Sequence, residues 1–213
     1  MVGYRAILFK KYCLPSVLSQ CDHDFDWFIG FHPDTPEKYY EFIPKQFTIL
    51  KSNSTQDFLN DVKFTLKNRL NDNDFLLSTR LDNDDSISKD FVSITKSFAN
   101  SIIAQKENLI LPYGINYRKG IEYDIYNNIS YLKDYPASSF VTLLESINLS
   151  NNFDYKTIAN FKHTTIYKEI PMVNITSREP MWMITIHDKN VGNKISGNKL
   201  EHNDHLTTRF SIA

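Results

Sequence analysis

The chain has 213 residues, with 24 Lys and Arg against 25 Asp and Glu, so its formal net charge is −1. This balance argues against a protein that neutralises many nucleic-acid phosphates, and no nucleic-acid partner is expected. The 41% of hydrophobic residues are enough to form a packed core. Only 6 glycines occur, and none of them forms a G-x-G motif, which excludes the glycine-rich loops that cradle dinucleotide phosphates.

The N-terminal segment and the cysteines point to an intracellular protein. Arg5, Lys10 and Lys11 interrupt the apolar stretch that a signal peptide requires. No apolar run approaches the roughly 18 residues of a membrane span. Cys13 and Cys21 could form one disulfide at most, and two reduced thiols are the simpler expectation. We therefore expect a soluble cytoplasmic protein without a membrane span.

Strands and helices alternate in the first half of the chain. Apolar runs predict strands over 4–9, 25–31, 47–50 and 74–82. Apolar residues three and four apart predict helices over 55–70, capped by Thr55, and over 87–103, and Pro15 favours another helix over 14–20. This alternation predicts an α/β sandwich with a mostly parallel, mixed sheet flanked by helices.

The second half is more β-rich and irregular. Segments 109–117 and 121–132 are rich in tyrosine and predict strands, as do 161–168 and 181–188. A short helix is expected over 138–147 and a polar loop over 189–213. No linker is long enough to divide the chain into separate domains.

An acidic segment, residues 82–85, follows the predicted strand at 74–82 directly. It holds Asp82, Asp84 and Asp85, and like charges this close are best tolerated when a cation neutralises them. Hard oxygen ligands favour Mg²⁺ or Mn²⁺, which can also bind a substrate diphosphate. Arg80 lies close enough in sequence to contact a phosphate or a nucleobase.

Two other types of structure contain closely spaced carboxylates of this kind. A solvated turn that caps the helix beginning near Ile87 would also explain the carboxylates. A calcium-binding EF-hand loop fails, because Ile87 stands where that loop needs glycine and Ser93 where it needs glutamate. Position favours a ligand site, because ligands bind beyond the carboxyl ends of strands in α/β sheets. The same rule predicts that 9–11, 32–34 and 80–85 share one rim.

Three segments carry a family resemblance: 5–20, 25–36 and 75–92. They resemble nucleotide-sugar glycosyltransferases of the GT-A fold. More narrowly, they are similar to bacterial and viral sequences labelled rhamnosyltransferases, in which an R-L-D-x-D-D segment carries the D-x-D motif. A glycosyltransferase domain from a large DNA virus is a further candidate relative. The resemblance covers residues 5–95 well and 138–195 more weakly.

The resemblance implies a metal-dependent hexosyltransferase. It would transfer rhamnose or glucose from a UDP- or dTDP-sugar to an oligosaccharide or glycoprotein glycan, with Mn²⁺ or Mg²⁺ as cofactor. The chain would be a single GT-A-like domain, with a nucleotide-sugar-binding half at 1–105 and an acceptor-side half at 106–213, and could be cut from a longer protein.

The resemblance also assigns roles to individual residues. Asp82 and Asp84 would bind the donor ribose and the metal ion, and Asp85 is a near alternative and a candidate catalytic residue. Glu145 would be the catalytic base that deprotonates the acceptor. The other nucleotide-sugar contacts would come from Phe9, Lys10, Asp34, Arg80, Lys189 and Asn190.

A late histidine is the third expected metal ligand. His187 ends a predicted strand and is preferred to His163, although an ordinary strand-end histidine is an equal alternative. Trp182 could stack on a sugar ring or pack in the core.

Two other functions remain open from the sequence. A sugar nucleotidyltransferase would carry an N-terminal glycine-rich loop, which this chain lacks. A non-catalytic carbohydrate-binding or metal-stabilised module would release no UDP from a donor.

Overall fold

The computed structural model describes residues 2–67, 69–105, 109–148, 155–190 and 194–212. Helices and strands are interspersed up to residue 105, and strands predominate after it. The helices are α1 (Val2–Leu8), α2 (Leu14–Leu18), α3 (Thr55–Leu66), α4 (Phe91–Gln105) and α5 (Asp204–Phe210), with a π-helical turn at Phe9–Cys13 that joins α1 to α2 and short 3-10 turns at Glu37–Tyr39, Ile158–Asn160 and Ile166–Lys168.

Eleven strands are found in the described ranges and form three mixed or parallel sheets. They are β1 (Phe28–Phe31), β2 (Thr48–Lys51), β3 (Phe75–Thr79), β4 (Ser86–Ile87), β5 (Tyr113–Tyr117), β6 (Lys119–Asp124), β7 (Ile129–Asp134), β8 (Thr142–Ser146), β9 (Met172–Ile175), β10 (Trp182–Ile186) and β11 (Asn198–Lys199).

The α/β class with mixed sheets and flanking helices is confirmed. Strands β1 and β2 pair in parallel, a five-stranded sheet has the order β11-β7-β6-β10-β4, and a four-stranded sheet has the order β3-β8-β5-β9. In the larger sheets only β6 with β10 and β5 with β9 are parallel. Antiparallel pairs therefore outnumber parallel ones, because the β-rich second half adds strands without crossover helices.

The main core lies between α4 and the two larger sheets. Trp182 is fully buried, stacks on Phe140 with ring centroids 5.4 Å apart, and donates its indole N–H to the Tyr117 carbonyl at 2.6 Å. Helix α4 adds Phe91 and Ile102 to the same cluster. Trp182 is therefore a core residue and is not available to stack on a sugar.

Most predicted elements of the first half are confirmed with shifted ends. The segments predicted at 25–31, 47–50, 55–70, 74–82 and 87–103 correspond to β1, β2, α3, β3 and α4. The cap of α3 is Ser54 rather than Thr55, because the Ser54 side chain accepts the N–H of Asp57.

The strand predicted over 4–9 is wrong, since these residues belong to α1 and the following turn. Leu8 and Tyr12 pack into one apolar cluster, while Phe9 and Cys13 pack into another. Leu8 and Phe9 are adjacent but buried in different clusters, and the neighbouring Ile7 is largely exposed, so the apolar residues run together in sequence as they do in a buried strand.

Three predictions of the second half are also wrong. Segment 138–147 holds strand β8, not a helix, because its apolar residues fill both faces of a sheet: Val141 and Leu143 on one side and Leu144 on the other. Segment 161–168 forms turns. The polar region 189–213 contains β11 and α5, although 191–193 lie outside the described residues.

No helix in the described ranges has the length and apolar character to cross a bilayer. The predicted boundary between the two halves of the chain adjoins residues 106–108, which lie outside those ranges.

Glu122 on β6 fastens the segment that leads into β11. Its carboxylate accepts the N–H of Ser196 at 2.7 Å and of Gly197 at 2.8 Å, and lies 2.8 Å from the Lys133 ammonium. Burial raises the pKa of Glu122, but the hydrogen bonds from Lys133 and the two backbone amides outweigh it and lower the pKa below its usual value.

Glu122→Gln is expected to lower the free energy of unfolding by about 2 kcal/mol at pH 7, because a buried charged hydrogen-bond acceptor is lost. Since the folded-state pKa is lowered, the contribution of the ionised carboxylate is present above the unfolded-state pKa and disappears as the pH falls through the folded-state pKa. Urea denaturation should therefore show the difference between wild type and variant shrinking as the pH falls below the unfolded-state pKa of about 4.3. A difference that stays constant from pH 7 to pH 3 would contradict this role.

Candidate active site

The acidic segment lies between β3 and β4, beneath the N-terminal helical segment. Strand β4 begins directly after it and pairs with β10, with Ser86 opposite Met183. The Ser86 hydroxyl donates to the Tyr12 carbonyl at 3.0 Å, and the Ile87 N–H donates to the Ser16 hydroxyl at 3.3 Å. The segment is therefore fixed from two sides, by a sheet and by a helix.

Thr185 on β10 holds the backbone of the acidic segment. Its hydroxyl donates to the Asp84 carbonyl at 2.7 Å, and its N–H donates to the Asp85 carboxylate at 3.1 Å. Asp85 is buried, and this burial, followed by the charges of Asp84 and Asp82, raises its pKa well above the usual value. Asp85 thus faces the protein interior.

Asp84 is the most contacted carboxylate of the segment. One of its oxygens, Oδ2, lies 3.0 Å from His187 Nε2 and 3.1 Å from Arg5 Nη1. The side chains of Asp84 and His187 are 7% and 0% exposed, whereas that of Arg5 is 38% exposed. Arg5 Nη1 also donates to the Asn83 amide oxygen at 3.0 Å.

The loop after β10 sets the orientation of His187. The Lys189 N–H donates to His187 Nδ1 at 3.2 Å, and the other ring nitrogen, Nε2, lies 3.0 Å from Asp84 Oδ2 and 3.3 Å from the Asn190 side-chain nitrogen. The Asn190 side-chain oxygen accepts the His187 N–H at 2.6 Å. Lys189 Nζ lies 4.2 Å from the centroid of the Tyr4 ring, which meets the His187 imidazole edge to face. The predicted residues His187, Lys189 and Asn190 are therefore assembled at Asp84.

Asp82 is the open carboxylate of the segment, with 56% of its side chain exposed. Its Oδ1 lies 3.8 Å from Arg80 Nε, and Arg80 Nη2 contacts His163 Nδ1 at 3.0 Å. Burial and then the charge of Arg80 lower the pKa of His163. His163 therefore supports Arg80 and stays neutral at physiological pH.

A comparison with protein families bears on this site. The family described as “Putative rhamnosyl transferase” matches residues 2–199. The chain belongs to this family. The match covers the acidic segment, Arg5 and the loop after β10, and the name of the family suggests glycosyltransferase activity. The mixed sheets with flanking helices are consistent with a GT-A-like sandwich. No curated protein matches the chain at a significant level.

Glu145 of this rhamnosyl transferase family member lies away from the acidic segment. On β8 it pairs with Leu76 near the start of β3, whereas the acidic segment follows the end of that strand. The separation from Leu76 to Thr79 along β3 alone is roughly 10 Å. An open depression of about 420 Å³, lined in part by Phe75 and Ser146, lies at the same remote end. Burial raises the pKa of Glu145.

Of the predicted rim, residues 32–34 and 80–85 follow the ends of strands β1 and β3, but 9–11 follow α1 in a π-helical turn. Phe9 is buried in the turn after α1 and stacks on Trp27 with centroids 5.6 Å apart. Lys10 Nζ lies 5.2 Å from the Phe42 ring centroid. The Asp34 side chain is 91% exposed and pairs only loosely with His32, at 3.5 Å. Since 4–9 is helical, Phe9 and Lys10 have no strand end to occupy.

Arg5 and Thr185 were not predicted as site residues. Arg5 is separated from Asp84 by 79 positions and Thr185 from Asp85 by 100, so no local motif connects them. Two features of the sequence could have indicated Arg5. A segment with three carboxylates requires cations nearby, and Arg5 lies in one of the segments that carry the family resemblance.

The carboxylate oxygens of the acidic segment suit a divalent cation whose remaining ligands come from a substrate. Within the described ranges no three His, Cys, Asp or Glu side chains form a ready-made metal site. Mg²⁺ in phosphate-dependent enzymes needs less from the protein, one or two carboxylates, because phosphate and water oxygens complete its shell. The open carboxylate of Asp82 and the fixed one of Asp84 fit that requirement. Both ring nitrogens of His187 are already engaged, so this side chain fits a support for Asp84 better than a direct ligand.

Proposed function

We propose that this protein is a glycosyltransferase that moves a hexose from a UDP- or dTDP-linked donor to a glycan acceptor. Rhamnose is the first candidate sugar because of the family name, and glucose is the second. An oligosaccharide or a glycoprotein glycan is the proposed acceptor. The observation that carries the proposal is the acidic segment, in which Asp82 is open to ligands while Asp84 is held by His187 and Arg5.

The chemistry of sugar transfer explains why such a segment is useful. When the bond between the anomeric carbon and the phosphate oxygen breaks, negative charge accumulates on the nucleoside diphosphate. Asp82 and Asp84 would hold a Mn²⁺ or Mg²⁺ ion, and such an ion would supply Lewis-acid stabilisation of that charge. The protein contributes by fixing Asp84 before the donor arrives, so that little reorganisation is needed during the reaction.

Further side chains of the site have defined parts in this proposal. Arg80, steadied by His163, is close enough to Asp82 to bind donor phosphates. Lys189 and Asn190 border His187 and would cover the donor diphosphate. Asp85 holds the segment against Thr185 through its buried carboxyl group. Glu145 is left out of the proposal, because it lies beside the start of β3.

Asp82→Asn is expected to weaken Mn²⁺-dependent binding of UDP- or dTDP-sugars by about 10-fold or more, because a charged ligand of the metal is lost. The exposed position of Asp82 predicts a change in unfolding free energy within about 0.5 kcal/mol. Thermal-shift titrations with a panel of nucleotide sugars, with and without Mn²⁺, measure the binding, and assays of UDP release measure the turnover.

The matched control is Asp134→Asn, which removes a half-exposed carboxylate paired with Arg118 on another part of the surface. Equal donor affinity in Asp82→Asn and wild type would refute the metal assignment. If wild type binds carbohydrate but neither binds nor cleaves any nucleotide sugar with Mn²⁺ present, the protein is a binding module and the proposed transfer is wrong.

A further inference from the structure

Arg5 occupies the same carboxylate that the proposed function assigns to a divalent cation. Arg5 Nη1 lies 3.1 Å from Asp84 Oδ2, and His187 Nε2 lies 3.0 Å from the same oxygen. A second bond from Arg5 Nη1 to the Asn83 side chain fixes the guanidinium over the acidic segment. In the free protein, Asp84 is therefore neutralised by a side chain of the protein itself.

Two cations cannot share this oxygen without cost. Like charges within a few ångströms repel strongly, especially beside a carboxylate that is only 7% exposed. Asp84 cannot turn away, because its carbonyl is bound by Thr185 and its carboxylate by His187. Arg5 can move, since 38% of its side chain is exposed and Asp84 is the only carboxylate in the described ranges with which it forms an ion pair.

The backbone under Arg5 keeps the guanidinium near the site when it moves. Helix α1 continues through the π-helical turn, where the Tyr12 carbonyl accepts a bond from Ser86. Arg80 and Lys189, which the proposed function also places beside the donor phosphates, contact His163 and the Tyr4 ring. A diphosphate that arrives at Asp82 and Asp84 would thus find a displaced guanidinium within reach, and guanidinium binds phosphate oxygens in a bidentate manner.

We propose that Arg5 is an exchangeable cation of the donor site. In the free protein it neutralises Asp84, and when a divalent cation takes Asp84 the guanidinium transfers to the diphosphate of the nucleotide sugar. This inference rests on the proposed function and adds to it a binding residue and an order of events. Arg5 opposes binding of the metal alone and favours binding of the diphosphate once the metal is present.

Two titrations test this proposal, because loss of Arg5 should change the affinity for Mn²⁺ and the affinity for UDP in opposite directions. Isothermal titration of the full chain with Mn²⁺ alone should show Arg5→Ala binding the metal about 5-fold more tightly than wild type, because a competing ion pair is gone. Titration with UDP at saturating Mn²⁺ should show the same variant binding UDP about 10-fold more weakly, because a charged contact to the diphosphate is gone. Arg5→Lys keeps the positive charge but loses the bidentate geometry of the guanidinium. The Mn²⁺ affinity of this variant should therefore stay near that of wild type, while its UDP affinity falls in part.

Arg118→Ala is the matched control, since Arg118 is 37% exposed, pairs with Asp134 at 2.7 Å, and precedes the first residue of β6, at the opposite end from the site. Both of its affinities should equal those of wild type. Urea denaturation of each variant confirms folding, and Arg5→Gln replaces Arg5→Ala if the latter is unfolded.

Two results would overturn the proposal. If wild type binds Mn²⁺ and UDP, but loss of Arg5 moves both affinities in one direction or moves neither, the exchange is wrong while the proposed function stands. If wild type binds neither Mn²⁺ nor UDP, the proposed function fails and the exchange fails with it.

Discussion

Asp84→Asn is expected to weaken Mn²⁺-dependent binding of a UDP-sugar by about 100-fold, a larger loss than that from any other single change in the acidic segment. The substitution removes the negative charge that Arg5 and His187 surround while keeping the size of the side chain. Asp84 has 7% of its side chain exposed, so water cannot take over its role as a ligand. Titration with a UDP-sugar at fixed Mn²⁺ measures this effect directly.

The alanine variant at the same position separates charge from packing. Asp84→Ala leaves His187 and Arg5 without their carboxylate and should lower the unfolding free energy by about 3 kcal/mol. Asp84→Asn keeps one acceptor oxygen and should cost only about 1 kcal/mol. Urea denaturation compares the two, with Asp134→Asn as the control carboxylate. Mn²⁺ affinity in Asp84→Asn equal to that of wild type would contradict the metal site.

The acidic segment illustrates what the sequence alone could establish. The clustering of Asp82, Asp84 and Asp85 after an apolar run is local information, and it survives as the centre of the candidate site. His187 could be selected in the same way, because it follows a recognisable strand. The orientation of each carboxylate could not be predicted, since it depends on β10, whose Thr185 draws Asp85 inward.

Two of the errors in the fold prediction share one physical cause. In both 4–9 and 138–147, adjacent apolar residues are buried in different clusters, so neither segment shows the alternation or the helical stripe that distinguishes a strand from a helix. Because a helix was predicted as a strand and a strand as a helix, two site residues were also placed wrongly. Phe9 was given a strand end that does not exist, and Glu145 was put on a helix near the acceptor instead of on β8.

Long-range ionic contacts could not be predicted from the sequence for a different reason. Arg5 and Asp84 meet because α1 shares an apolar cluster with the strand pair β6 and β10, in which Leu8, Ile121 and Met183 are buried. Such a contact is a product of the whole topology. Only the requirement for a counter-charge could be inferred in advance, and it did not specify which of the 24 basic residues would meet it.

Gly120→Ala should have the largest effect on stability, because β6 and β10 leave no room for a side chain at this position. Gly120 lies opposite Trp182 in the parallel register, and a Cβ atom would come within 2.1 Å of the indole ring. The ring cannot retreat, since it is fully buried and stacked on Phe140. We expect a loss of about 3 kcal/mol or more in unfolding free energy, measured by urea denaturation.

A double-mutant cycle tests whether the clash with Trp182 causes the loss of stability. Trp182→Leu alone should destabilise the core, whereas Gly120→Ala combined with Trp182→Leu should be more stable than the sum of the single changes predicts, because the smaller side chain makes room. Gly3→Ala is the control, since its Cβ would come no closer than 3.6 Å to Tyr39. If Gly120→Ala were as stable as wild type, the register of β6 against β10 would be wrong. The same register places His187 just beyond the paired ends of the two strands, so an error there would also undo its contact with Asp84.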